Sequence, residues 1–124
     1  MTSGRCMLAL AACVELAERN APISVHEISE RLGASVSYLE QIFAQLKDRG
    51  IVTGIRGPGG GYILTDKPSC ISALDVVFAA TIERKQMELV RDHPAVNLLM
   101  NQVERVMAEI GLSDLAARTA REAA

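Results

Sequence analysis

The chain has no tryptophan and only two tyrosines and two phenylalanines in 124 residues, so its core must be packed from aliphatic side chains and methionine. Its three cysteines, Cys6, Cys13 and Cys70, are odd in number and form no Cys-x-x-Cys pair. That excludes a disulfide framework and a standard zinc site, and fits reduced thiols in the cytoplasm. No apolar run is long enough to cross a membrane. The run Cys6 to Cys13 faintly resembles a secretory lipoprotein leader, with Leu-Ala-Ala-Cys as the cleavage box. It is too short, follows a single cation, Arg5, and continues into an amphipathic helix, so no leader is expected. A large excess of charge is also missing. The net charge of −2 argues against a polybasic surface, although local placement matters more than the total. No catalytic constellation is present either. His26 sits in a helix cap, His93 precedes a proline, and neither has a Ser, Cys or carboxylate at a spacing that forces proximity. An enzyme is not expected. A chain of this length buries roughly two-thirds of its unfolded surface, enough for one domain without crosslinks.

What the chain does have is a run of glycines. Arg56 to Tyr62, Arg-Gly-Pro-Gly-Gly-Gly-Tyr, holds four of its nine glycines. Such a run suits neither a helix nor a strand interior. It lies between two β-prone pieces, Ile51-Val52-Thr53 and Tyr62-Ile63-Leu64, and reads as a hairpin with a long tip and Arg56 at its base. It is no phosphate loop, because it lacks the terminal Lys-Ser/Thr and precedes a strand where a phosphate loop precedes a helix. A hairpin tip with no role of its own stays open at this point.

The rest of the chain reads as helices. Residues 4 to 19 form the first, with Met7, Leu10 or Ala11, Val14 and Ala17 inward, and Asn20-Ala21-Pro22 stops it. Ser24 and Glu27 form a capping-box pattern. The short helix that follows turns Val25, Ile28 and Leu32 inward and ends at Gly33. Ser35 caps the next helix, which runs to about Arg49 with Leu39, Ile42, Phe43 and Leu46 buried, and Gly50 ends it. Helix, helix-turn-helix and β-hairpin, in that order, make a winged helix. A further helix, roughly Ile71 to Ala80, is capped by Ser69 or Ser72 and turns Leu74, Val77 and Phe78 inward. Residues 81 to 93 are polar and read as a loop or frayed helix. Pro94 starts a long helix in which Val96, Leu99, Val103, Val106 and Ile110 form a two-heptad seam. That seam either packs back on its own domain or pairs two copies, and dimerisation is the expected use. Gly111 breaks the chain, Ser113 caps, and a last helix runs towards Ala120. The fold class is mainly α with a small β-hairpin: a winged helix-turn-helix over 1–80, a loop over 81–93, and a dimerisation helix with a short terminal helix over 94–124.

DNA binding has a physical basis in this arrangement. The second helix of the unit would present its first turns to the major groove, offering Ser35, Ser37, Tyr38, Glu40 and Gln41. Gln pairs with adenine, Glu accepts from cytosine, and hydroxyls suit phosphates. Each hydroxyl has the competing role of a cap or a solvent-facing group. A thin glycine tip, with Gly57, Gly59 and Gly60, fits a minor groove whose negative potential attracts Arg56. Lys47, Arg49 and Lys67 are further phosphate candidates. The segment from 24 to 56 is electrically neutral, so affinity would have to come from a dimer and from charge placement. A winged helix used only as a protein-interaction module is the alternative.

Five pieces carry a resemblance. They are Gly4-Arg5, Ile28-Ser29-Glu30-Arg31, Ser35 to Phe43, Gly50-Ile51-Val52, and Arg56 to Tyr62. Together they resemble the bacterial Rrf-two family of transcription regulators, closely over the first 80 residues and more loosely through Gly111 to Leu115. The resemblance implies a homodimeric, cytoplasmic repressor or activator that binds double-stranded DNA at a pseudo-palindromic operator. Ser37, Glu40 and Gln41 match the family's base-reading positions, Arg56 and the glycines its wing, and residues 94–110 its dimer helix. Cluster-binding members carry three cysteines in the loop before that helix. Residues 81–93 hold none. His93 aligns with a cluster ligand of one branch, but one nitrogen does not hold a cluster that needs four ligands. An iron–sulfur cluster is therefore disfavoured and no cofactor is expected. The remaining thiols allow a redox switch at Cys6, Cys13 or Cys70. Cys6 beside Arg5 fits an accessible, electropositive sensor best, while small buried core residues are the competing role for Cys6 and Cys13.

Overall fold

The structure, a computed structural model, describes residues 4–81 and 93–123. The sequence expectation for the loop at 81–93 falls almost wholly on residues 82–92, outside the described residues. Helix α1 (Gly4–Glu18) lies inside the domain, packed on by neighbours from several sides. Its buried face is Cys6, Ala9, Ala12, Cys13 and Leu16. This corrects the sequence reading, which turned Met7, Leu10 or Ala11, Val14 and Ala17 inward. Met7 is 41% exposed and the other four are only half-buried. The helix is apolar almost all round, so bulk does not set its phase. Small side chains face the neighbours that approach closest, and the bulkier ones line an open groove of about 320 Å³ against Leu32 and Leu115.

Helices α2 (Val25–Leu32) and α3 (Val36–Asp48) form the helix-turn-helix. Ser24 Oγ accepts from the Glu27 amide at 3.2 Å, but Glu27 does not reach back; its carboxylate pairs with Arg19. Gly33 takes the left-handed conformation at φ 71° and closes α2. Ser35 Oγ accepts from the Tyr38 amide at 3.2 Å and opens α3. Helix α3 buries Leu39, Ile42, Phe43 and Leu46, as the spacing predicts. Arg49 caps it, and the Ile51 amide bonds the Leu46 carbonyl at 2.9 Å while the chain turns at Gly50.

Strands β1 (Val52–Ile55) and β2 (Gly61–Leu64) pair antiparallel, Val52 opposite Leu64 and Ile55 opposite Gly61. Ile23, just before α2, bridges to Tyr62 through two backbone bonds of 3.1 and 2.9 Å. The Tyr62 ring stacks on Phe43 of α3, with centroids 4.6 Å apart and planes 13° from parallel. The hairpin is thus fastened to the helix-turn-helix by its backbone and by its one aromatic ring.

Helix α4 (Ala73–Ala80) opens with a full capping box between Ser72 and Asp75. It buries Ala73, Val76, Val77, Ala79 and Ala80. Of the residues expected inward only Val77 is buried; Leu74 is half-buried and Phe78 is 45% exposed. The reason repeats that of α1: alanines, not the largest side chain, face the close packing. Helix α5 (Pro94–Glu109) has no buried residue, and α6 (Leu112–Ala123) packs on α1 with Leu112 fully buried. The turn between them is clipped to the start of α4. The Ala73 amide bonds Ile110 O at 2.8 Å, and the Leu112 amide bonds Ile71 O at 2.9 Å. Ser113 does not cap α6. The helix has already begun at Leu112, and Asp114 Oδ2 accepts from the Gly111 amide at 3.1 Å.

Gly61 is where the hairpin meets Ile23. At φ 151° a Cβ there would lie 2.2 Å from Ile23 O. Gly61→Ala should therefore break the Ile23–Tyr62 bridge and cost about 2–3 kcal/mol in urea unfolding. Gly4→Ala, in open space, should cost nothing; equal midpoints for the two variants would contradict this packing.

Candidate nucleic-acid interface

The first turns of α3 project a polar row. Ser35, Ser37, Tyr38, Glu40 and Gln41 are all exposed. Ser35 is engaged as the cap, with its oxygen accepting and its hydroxyl proton still available. The side chains of Ser37, Glu40 and Gln41 make no hydrogen bond or ion pair among the described residues. These three side chains, with no partner among the described residues, can bond an outside ligand without first breaking bonds within the chain.

The wing loop runs from Arg56 to Gly60. Arg56 is exposed and has no ion-pair partner among the described residues. The glycines each have a backbone reason. Gly57 and Gly59 sit at φ 96° and 73°, and a Cβ on Gly60 would lie 2.3 Å from Ile55 O. What the loop offers a ligand is its thinness and its one guanidinium. Lys47, Arg49 and Lys67 are exposed as well. Two cations near the unit are spoken for: Arg19 pairs with Glu27, and Arg31 pairs with Glu15 at 2.8 Å. Both pairs tie α1 and its exit to α2; they engage one anion, Glu27, and one cation, Arg31, of residues 24–56, so the rest of that segment stays electrically balanced.

Two side chains that sequence spacing does not single out converge on this surface. Arg5 of α1 places its guanidinium carbon 5.8 Å from the Tyr38 ring centroid. It also donates to Gln45 of α3 through Nε at 3.1 Å and through Nη2. Contacts across 40 residues leave no local pattern; only the Gly-Arg pair at the start of the resemblance marks Arg5.

The seam residues of α5 stand off the domain. Leu99 is 63% and Val106 58% exposed, and Val96, Val103 and Ile110 are partly covered. Leu98, outside the expected seam, is the most exposed of the large apolar residues among those described, at 67%. His93 is the N-cap of α5, its Nδ1 accepting from the Ala95 amide at 3.2 Å.

The thiols are placed differently from the sensor expectation. Cys6 is buried, 3.8 Å from Val77 O and 3.7 Å from the Thr81 hydroxyl, so it lacks the access that a sensor needs. Its neighbour Arg5 points its charge at Tyr38 and Gln45. Cys13 is fully buried, and desolvation pushes its pKa from 9.0 up to about 12. Cys70 alone is exposed.

A profile of the Rrf2 family, described as an iron-dependent transcriptional regulator, matches residues 2–118, and the chain belongs to that family. It is 36% identical over 129 residues to a protein of Azotobacter vinelandii provisionally named HTH-type transcriptional regulator ORF2, covering 95% of this chain and 79% of that one. It is 42% identical over 78 residues to HTH-type transcriptional regulator IscR of Photorhabdus laumondii; that match covers 63% of this chain but only 48% of the relative, about half its length. Among solved structures, T. potens IscR superposes with a TM-score of 0.80 at 28% identity, covering 99% of this chain and 90% of that one. CymR, the global cysteine regulator of B. subtilis, gives 0.79 at 26% identity, covering 95% and 97%. These relatives are winged-helix transcriptional regulators, and the two-stranded hairpin after a helix-turn-helix is shared with them.

Iron dependence in the family raises the question of a cluster. The donors in this chain do not fit one. The sequence from 82 to 92 contains no cysteine, and two of the three thiols face the core from α1. Among the described residues no three His, Cys, Asp or Glu side chains gather as a metal site. Nor is any helix there long and apolar enough to cross a membrane.

The thiol environments give a direct check. At pH 8, iodoacetamide should modify Cys70 in the native protein. Cys13 should stay unmodified until denaturant is added, because a pKa of about 12 leaves roughly one thiolate in ten thousand. Peptide mass mapping reads the outcome, and rapid native labelling of Cys13 would contradict its placement.

Proposed function

We propose that this Rrf2-family regulator binds a pseudo-palindromic DNA operator as a homodimer, with α3 in the major groove and the wing at the adjacent minor groove. The observation that carries the reading is the unsatisfied polar row Ser37, Glu40 and Gln41 beside a hairpin tip whose Arg56 has no partner among the described residues. In this reading Gln41 and Glu40 read base edges, and Ser35, Ser37 and Tyr38 bond phosphates or bases. Arg56, supported by Gly57, Gly59 and Gly60, is drawn to a narrow minor groove. The exposed face of α5 is the support for dimerisation: Val96, Leu99, Val103, Val106 and Ile110 pair with a second copy. Residues 1–80 then carry the DNA-binding unit, 81–93 occupy the sensor-loop position, and 94–124 carry the dimer helix and a terminal helix that braces α1. The reading assigns no catalysis and no cofactor, and places the protein in the cytoplasm with the chromosome.

A duplex selected by the protein from a random-sequence library tests this. Affinity should fall linearly on a log–log plot against salt, as phosphate contacts release counterions. Gln41→Ala should cost about 1–3 kcal/mol at one base pair of each half-site and little elsewhere. Weak, salt-insensitive binding to every duplex would instead favour a protein-interaction module. Val103→Glu should give a monomer in sedimentation and lose operator binding; an unchanged dimer would refute the α5 interface.

A further inference from the structure

We propose that Arg5 is a positioning residue for the recognition surface, holding the Tyr38 ring in its place on α3 while Gln45 anchors Arg5 to the end of α4. The proposal rests on the DNA-facing role of α3 given above. Tyr38 lies in the first turn of α3, and Gln45 follows seven residues later, two turns along the same face. Arg5 spans both. Its guanidinium lies 5.8 Å from the Tyr38 ring centroid, within cation–π reach, and its Nε and Nη2 both donate to Gln45 Oε1.

Gln45 completes the link in the other direction. Its Nε2 donates to the Thr81 carbonyl at 3.3 Å. That carbonyl lies just past the last turn of α4, where helix carbonyls have no partner within the helix. The chemistry at Gln45 is demanding. Arginine offers only donors and a carbonyl only accepts, so the bridging side chain must accept at one end and donate at the other. A glutamate would face the Thr81 carbonyl with a second acceptor, and a lysine would face Arg5 with a second cation. Thr81 is held in turn, its hydroxyl donating to Val77 O at 2.7 Å. Cys6, buried beside that hydroxyl, fixes the backbone from which Arg5 extends.

The consequence concerns Tyr38. A ring 36% exposed at the start of a helix would otherwise change rotamer freely and would have to be ordered when DNA arrives. Held by Arg5, it is ordered beforehand, which saves that cost in affinity. Arg5 thus acts on DNA through Tyr38 and not as a phosphate contact.

The test has two arms. In the first, tyrosine ring resonances are followed by NMR without DNA in protein labelled at tyrosine. Only Tyr38 and Tyr62 contribute, and Tyr38→Phe assigns them. Arg5→Met should shift the Tyr38 signal and leave Tyr62, stacked on Phe43, in place; Gln45→Met should do the same. An unmoved Tyr38 signal in both variants overturns the clamp. In the second arm, affinity for the duplex selected by the wild-type protein is measured against salt. Arg5→Met should lower it about two- to fivefold, with no change in salt slope. In a Tyr38→Ala background the same substitution should change nothing. An equal loss in both backgrounds, or a salt slope shallower by about one, makes Arg5 a direct contact and overturns the positioning role. If the wild-type protein selects no duplex, the DNA reading falls and the positioning role with it, while the first arm still reports on the clamp.

Discussion

The wing holds its place because Gly61 has no Cβ. That absence lets β2 come close enough to Ile23 for two backbone bonds, and the bridge sets the hairpin against the start of α2. Tyr62, one residue on, then reaches Phe43 on the buried face of α3. A stack of this kind adds about 0.5–1.5 kcal/mol beyond the area it buries. The hairpin has only four residues in each strand, and an isolated two-stranded hairpin is marginal at best in water. Together with Val52, buried in the core, these two attachments set the tip carrying Arg56 in a fixed relation to the row on α3.

Much of this was legible in the sequence, for reasons that can be named. Ser24, Gly33, Ser35 and Gly50 punctuate α2 and α3, and each does locally what its chemistry favours. The inward spacing of Leu39, Ile42, Phe43 and Leu46 is unambiguous because the opposite face is polar. The glycine run could only be a turn. The phases of α1 and α4 were not legible, because both helices are apolar on more than one side. There the buried face is chosen by small side chains such as Ala9, Ala12 and Ala79, and bulky Met7 and Phe78 are left outside. The Arg5–Gln45–Thr81 link was hidden for another reason, since its partners lie 36 and 40 residues apart.

The two halves of the chain differ in how far they keep to the family. The first half has the helix-turn-helix, the caps and the glycine tip that the Rrf2 match leads one to expect. In the half that would sense iron, the sequence before α5 has no cysteine to offer, and His93 uses Nδ1 to cap the helix. Of the three thiols, burial protects Cys6 and Cys13, and Cys70 alone is exposed.

In the proposed complex α3 and the wing address neighbouring grooves of one duplex as a single rigid surface. Directed cleavage can locate the wing on the DNA. An iron chelate attached at Pro58→Cys, at the wing tip, in protein also carrying Cys70→Ser, would generate hydroxyl radicals where the tip lies. Cuts should fall in two symmetric clusters with the strand offset of minor-groove cleavage, each flanking the base pairs whose recognition depends on Gln41. Cleavage scattered along the duplex, or none above the background of unattached chelate, would contradict it.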